Sequence, residues 1–174
     1  MTSSRYFLVA ILPMLVTFGC GPPKHRVTRQ SATIAEQYFR AVYSGDVELV
    51  EELTADDVVV SYPVFQRVFN KPALEGRQDV AAFSRRFSSR WADREITIHD
   101  TLTDGDDVAI IWSFRARPTD TDGLQSGGSP YDDDKGLRDW GGISIVRLNS
   151  AGKIVAEFGE ESEPGPMGRM DQAE

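Results

Sequence analysis

Two tyrosines and a glutamate are the side chains best placed to do chemistry in this chain. Tyr38 and Tyr62 offer paired hydroxyl donors to a bound carbonyl, and Trp112, Phe114 and Trp140 supply an apolar wall for the molecule that carries it. Counting by twos along the last predicted strand puts Glu157 on the face opposite Phe158, with Val155 and Gly159, and extends that face to Glu161. A carboxylate facing an apolar cavity has a raised pKa and serves as general acid or base, whereas the same group on a solvated strand end does neither. Both placements are open at this level. His99, between Ile98 and Asp100, falls on the polar side of its strand and reads as a surface residue. Asp132-Asp133-Asp134 lacks the spaced oxygen ligands and glycine of a calcium loop, and two histidines are too few for a histidine-rich metal site, so no metal is expected. No nucleophile elbow, phosphate loop or dinucleotide fingerprint is present, and no cofactor is implied.

The single cysteine addresses location rather than reaction. Cys20 follows an apolar run from Tyr6 to Phe18, with Arg5 as its positive flank and Gly19 as a small residue before the thiol. That is secretory signal architecture, too short for a membrane-spanning helix and interrupted by Pro13. A lone thiol in an exported chain has no internal disulfide partner. Val16-Thr17-Phe18-Gly19-Cys20 resembles the bacterial lipobox, in which a peptidase cuts before the cysteine and its sulfur carries a diacylglycerol. Thr17 and Phe18 depart from the usual leucine and small residue, and an ordinary cleaved signal with an incidental cysteine is the other reading. Lipidation implies an exported cell-envelope protein, with Gly21 after the cysteine fitting an outer membrane or periplasmic face. Removal of residues 1–19 leaves 155 residues, enough for one domain with its own core, carrying 18 basic and 27 acidic side chains. This balance has the wrong sign for a nucleic-acid binder. Membrane contact then comes from the lipid on Cys20, and residues 20–30, with Pro22 and Pro23, read as its tether.

The elements that must position these side chains follow from periodicity. Thr33-x-x-Glu36 has capping-box spacing, and Ile34, Ala35, Tyr38, Phe39 and Val42 recur at helical intervals, which predicts a helix over 33–44 stopped by Gly45. Asp46 caps a short second helix. Val58 to Tyr62 is a β-branched strand halted by Pro63, and the stretch from Val64 to Glu75 carries no assignable pattern. A third helix follows Gly76, with Val80, Phe83, Phe87 and Trp91 on one stripe and Arg85, Arg86 and Arg90 toward water. The period then changes to two. Ile96, Ile98 and Leu102 alternate with polar residues, Asp104-Gly105-Asp106 turns the chain, and Val108, Ile110, Trp112, Phe114 and Ala116 share one face. Strands over 139–148 and 153–158 complete the set, with a glycine-rich excursion over 118–138 and a flexible tail over 161–174. The paired glycines of Asp139-Trp140-Gly141-Gly142 mark a bulge or a close backbone approach. Helices first and a curled antiparallel sheet afterwards predict an α+β cone, three N-terminal helices packed over the concave side.

Tyr38-Phe39-Arg40-Ala41-Val42-Tyr43-Ser44-Gly45-Asp46, followed by Leu53-Thr54-Ala55-Asp56-Asp57-Val58, resembles the opening of the SnoaL-like, or nuclear transport factor 2-like, superfamily. Leu74-Glu75-Gly76 and Asn149-Ser150-Ala151-Gly152-Lys153-Ile154-Val155 stand in the same order, so the resemblance covers residues 31–160. It implies a cystatin-like α+β roll with a conical cavity for a small apolar or amphipathic molecule, and a homodimer through the convex sheet. The superfamily also holds cyclases, isomerases and dehydratases, so a fold of this kind does not by itself name a reaction. The resemblance to its ketosteroid isomerases places a phenol at Tyr38, but the base position before the proline is Tyr62 and the second acid position is Ser144. Ser144 joins the candidate ligand contacts on that count. Near Glu157-Phe158-Gly159 there is no arginine–aspartate pair of the epoxide-hydrolase kind. The leading expectation is therefore a tethered binder. An enzyme using Glu157 with Tyr38 and Tyr62 and a non-catalytic dimeric module are the alternatives.

Overall fold

A computed structural model describes residues 24–119 and 137–162. Cys20, Asp132 to Asp134, most of the 118–138 excursion and the tail after Ser162 lie outside the described residues. Helix α1 spans Lys24–Ser44, so residues 24–30 are helical where a tether is expected. The capping box is not formed. Thr33 sits inside the helix and donates to the Arg29 carbonyl at 3.0 Å, while Glu36 accepts from Thr101 at 2.8 Å. At the other end Gly45, at φ 83°, makes the left-handed turn that lets its own amide and that of Asp46 bond the Ala41 carbonyl. Asp46 caps α2 (Val47–Leu53) by accepting from the Leu49 amide at 3.1 Å.

Strand β1 spans Thr54–Ser61, beginning earlier than Val58. Pro63 both stops it and opens α3 (Pro63–Phe69), because proline's fixed φ and missing donor suit a first helical position. Strand β2 is Leu74–Glu75, and α4 spans Arg77–Ser89. The remaining strands are β3 (Trp91–Asp104), β4 (Asp107–Pro118), β5 (Arg138–Leu148) and β6 (Ile154–Glu161). They form one curved, unclosed sheet in the order β2-β1-β6-β5-β4-β3. It is not wholly antiparallel: β1 runs parallel to β6, with Val60 beside Glu157 and Ser61 beside Phe158. Among the described residues the helices are also four rather than three, since α3 was invisible to periodicity.

Helices α1 and α4 cover the concave face, where Tyr38, Phe39, Val50, Val80, Ile110 and Trp112 form the core. The β4 alternation holds, with Val108 to Ala116 buried on every second residue. On β3 it breaks. Ile98 faces Trp112 but Asp100 faces Ile111, so His99 is an extra residue that moves Leu102 to the outer face, 58% exposed. His99 bonds Ser113 on that outer side at 2.9 Å. At Gly141 and Gly142 the β4–β5 register is unbroken, so there is close approach and no bulge. A methyl on Gly142 would sit 2.9 Å from the Trp112 ring, and one on Gly141 2.7 Å from the Trp112 carbonyl.

Candidate functional site

The sheet register brings the chemical residues together. Glu157 projects inward from β6 beside Val60, and Ser144 on β5 lies across from Gly159. One residue past β1, Tyr62 swings its ring over Gly159, where only a residue without Cβ leaves room. Helix α1 lays Tyr38 over the same point. Glu157 is 3% exposed, and its two carboxyl oxygens are divided between the phenols: Tyr38 donates to Oε2 at 2.8 Å and Tyr62 to Oε1. Ser144 Oγ lies 2.6 Å from the Tyr62 hydroxyl and receives the Trp112 indole N–H at 3.0 Å.

Proton counting fixes the direction of this chain. Indole N–H can only donate, serine and tyrosine hydroxyls each have one proton, and a carboxylate only accepts. Trp112 therefore donates to Ser144, Ser144 to Tyr62, and Tyr62, like Tyr38, to Glu157. Burial pushes the Glu157 carboxyl up from the ordinary carboxylate range, and the Tyr62 and Tyr38 donors pull against it. Burial first, and then the Glu157 charge, hold both phenols well above their usual range, so they remain protonated donors. A carboxyl poised in this way can accept or deliver a proton, provided something reaches it.

What reaches it is limited by space. A chamber of about 20 Å³ lies beside Glu157, Tyr38 and Tyr62, room for a water and no more. Tyr43, Phe83 and Glu161 separate it from a larger cleft of about 240 Å³, whose walls include Phe87, Trp91 and Trp140. Rings pack continuously around that cleft, with centroids 5.1 Å apart for Trp91 and Trp140, 4.6 Å for Trp140 and Phe114, and 5.2 Å for Tyr43 and Phe87.

The structure thus unites Tyr38, Tyr62, Ser144 and Glu157 in one network, and Glu157 takes the buried placement rather than the solvated one. Trp140 lines the large cleft, whereas Trp112 and Phe114 are core residues beneath it. Tyr43 escaped sequence reasoning although it borders both spaces. Arg86 and Arg90 also line the cleft while remaining exposed, as the spacing Phe83-Arg86-Phe87-Arg90 on one helix face could have told. Among the described residues no group of three or more histidine, cysteine, aspartate or glutamate side chains could hold a metal ion.

Residues 35–157 match the SnoaL-like domain family, a span that takes in every member of the network. The chain belongs to the SnoaL-like domain family. No curated protein matches the sequence of this SnoaL-like protein. Its domain is similar in structure to a putative SnoaL-like polyketide cyclase from Jannaschia sp. CCS1, with a TM-score of 0.61 at 13% identity over 88% of this chain and 96% of that one. It is also similar to an epoxide hydrolase of Mycobacterium tuberculosis, with a TM-score of 0.57 at 16% identity over 78% and 84% of the two chains. RV0760c of the same organism, solved in complex with estradiol-17beta-hemisuccinate, gives a TM-score of 0.54 at 21% identity over 75% and 92%. At these identities the likeness is one of fold.

Proposed function

We propose that this SnoaL-like domain binds a small apolar or amphipathic molecule in the concave side of its sheet, and that a lipid on Cys20 tethers it to the cell envelope. The aromatic cleft of about 240 Å³ carries the binding reading: Phe87, Trp91 and Trp140 offer ring faces to a ligand of modest size. The steroid ester bound by RV0760c supports a molecule of that general kind. Native mass spectrometry of the protein purified from its own host tests the reading. A co-purified small molecule that is lost on replacing Trp140 by alanine is expected; an empty protein, unchanged in melting temperature by any apolar additive, would count against it.

For the tether, the support is the apolar run ending at Gly19-Cys20. Labelling with palmitate should occur in the full chain and vanish in Cys20→Ser. An unlabelled, soluble wild-type product would remove the anchor from the account.

A second reading, an enzyme of cyclase, isomerase or dehydratase type, is favoured by the buried Glu157 held between Tyr38 and Tyr62. In it Glu157 is the acid or base and the phenols polarise a carbonyl, which requires the ligand to pass the Tyr43 partition. Turnover of a bound carbonyl compound, abolished in Glu157→Gln with binding retained, would establish it, and turnover unaffected by that change would exclude it. Pairing of two copies through the outer face of the sheet draws support from Leu102, Ile145 and Phe158, which are exposed and lie in one register row over β3, β5 and β6, with Ala109 of β4 between the first two. Sedimentation should then show a dimer that Ile145→Asp dissociates; a wild-type monomer at high concentration would refute it.

A further inference from the structure

The aromatic cleft is not purely apolar, and its polar groups are arranged along the same line as its rings. Phe83, Arg86 and Phe87 on α4 and Arg90, which caps its C-terminus with helical φ and ψ, stand at positions i, i+3, i+4 and i+7, which is one face of a helix. All four line the cleft. A molecule lying along this face therefore meets hydrocarbon and guanidinium together. Among the described residues Glu161 is the one carboxylate on the lining, against two arginines, so these side chains carry a local positive excess in a chain whose net charge is −8. Opposite the helix, Trp91 and Trp140 present ring surface that gives a flat body something to lie against.

From this geometry we infer that the ligand is an amphipathic organic anion, with a flat hydrocarbon body between α4 and Trp140 and a carboxylate, sulfonate or phosphate head held by Arg86 and Arg90. The inference rests on the small-molecule reading above and adds the charge and orientation of the ligand to it. Guanidinium suits the role because its planar fork donates two parallel hydrogen bonds to such a head. Arg86 and Arg90 remain exposed, so the head stays at the mouth in contact with water while the body is buried. The end of the body remote from the head faces Tyr43, the partition to Glu157.

Two fluorescent probes that differ in the head alone test this directly on the full chain. They are 8-anilinonaphthalene-1-sulfonate and its uncharged counterpart N-phenyl-1-naphthylamine. Both should bind the wild type. In Arg86→Gln/Arg90→Gln the sulfonate should bind about tenfold more weakly, the loss of a charge-assisted hydrogen bond at a wet site, with the neutral dye changed less than about twofold. Arg86→Lys/Arg90→Lys, which keeps the charge without the fork, should fall between. Raising salt to about 0.5 M should weaken the sulfonate severalfold in wild type, because exposed charges are screened. Should the glutamine variant fail to bind the neutral dye, the salt response of wild type decides the matter. Sulfonate affinity indifferent to both the glutamine changes and salt, with the neutral dye still bound, overturns the anion and leaves the cleft standing. Failure of both dyes to bind wild type removes the cleft itself as the ligand site.

Discussion

Replacing Gly159 with alanine puts a methyl group into the space occupied by the Tyr62 ring. The added carbon would overlap the ring carbons and sit 2.7 Å from the phenol oxygen. Carbon needs about 3.5 Å, so the ring must retreat by more than about 1 Å. Tyr62 has no such freedom, because its hydroxyl is fixed between Ser144 at 2.6 Å and Glu157. A retreat of that size takes the Ser144 contact outside hydrogen-bond range. Losing a neutral and a carboxyl hydrogen bond costs about 2–4 kcal/mol. Residual overpacking adds about 1 kcal/mol or more. Gly159→Ala should therefore destabilise by roughly 3–5 kcal/mol, a fall of about 10 °C in melting temperature for a domain of this size. Urea denaturation of Gly159→Ala, alone and with Tyr62→Ala, provides the assay. In the Tyr62→Ala background the ring is gone, and the same glycine change should cost less than about 0.5 kcal/mol, giving a coupling of several kcal/mol. A single Gly159→Ala as stable as wild type, or an equal cost in both backgrounds, would refute the placement of Tyr62 over Gly159.

Tyr62→Phe keeps the ring and removes its bonds to Ser144 and Glu157, so it should lose about 2–4 kcal/mol by denaturant titration, against about 1.5–3 kcal/mol for Tyr38→Phe, which breaks one bond. Glu157→Gln should reveal the carboxyl's proton affinity. Burial raises the folded pKa above the unfolded one, so the folded state holds the proton more tightly, and wild-type stability is greatest below the unfolded value and declines as pH rises through the folded one. The variant has no such step, and its stability relative to wild type should increase with pH over the weakly acidic range; a relative decrease would reverse the assigned shift. Asp46→Ala, removing the α2 cap, should cost about 1 kcal/mol in thermal unfolding and leave probe binding unchanged.

Much of the scaffold was legible because it is written locally. Gly45 and Asp46 signal a helix end and a helix start with side chains and φ values that depend on near neighbours, and the β4 alternation needs no partner to be read. Thr33 and Glu36 show the limit of such signals: the spacing is right, but the helix extends past them and their polar atoms find Arg29 and Thr101 instead. The one-residue slip at His99 could not be read from alternation, since a bulge is set by the strand next door. Pro63 is itself a cue for α3, since a proline that stops a strand also suits a first helical position. At the site, Tyr38, Tyr62, Ser144 and Glu157 were all candidates, yet nothing local distinguished Glu157 inside from Glu157 in water. That choice is made by β1 lying beside β6, a pairing no single stretch of sequence encodes.

The parallel pairing of β1 with β6 also sets the order in which the site can come into being. Tyr38 and Tyr62 lie 119 and 95 residues before Glu157, whereas β3 to β6 join as successive antiparallel neighbours. Nearby contacts form at small entropic cost and distant ones late, so the meander is favoured to assemble before β1 docks on it. Until then β6 is an edge strand, with open backbone groups of the sort other chains can pair with. Glu157 on that edge is an ordinary carboxylate in water. Its altered proton affinity is acquired in the docking step, together with the closing of the sheet edge, so a chain that stalls beforehand both lacks the buried carboxyl and is prone to self-association.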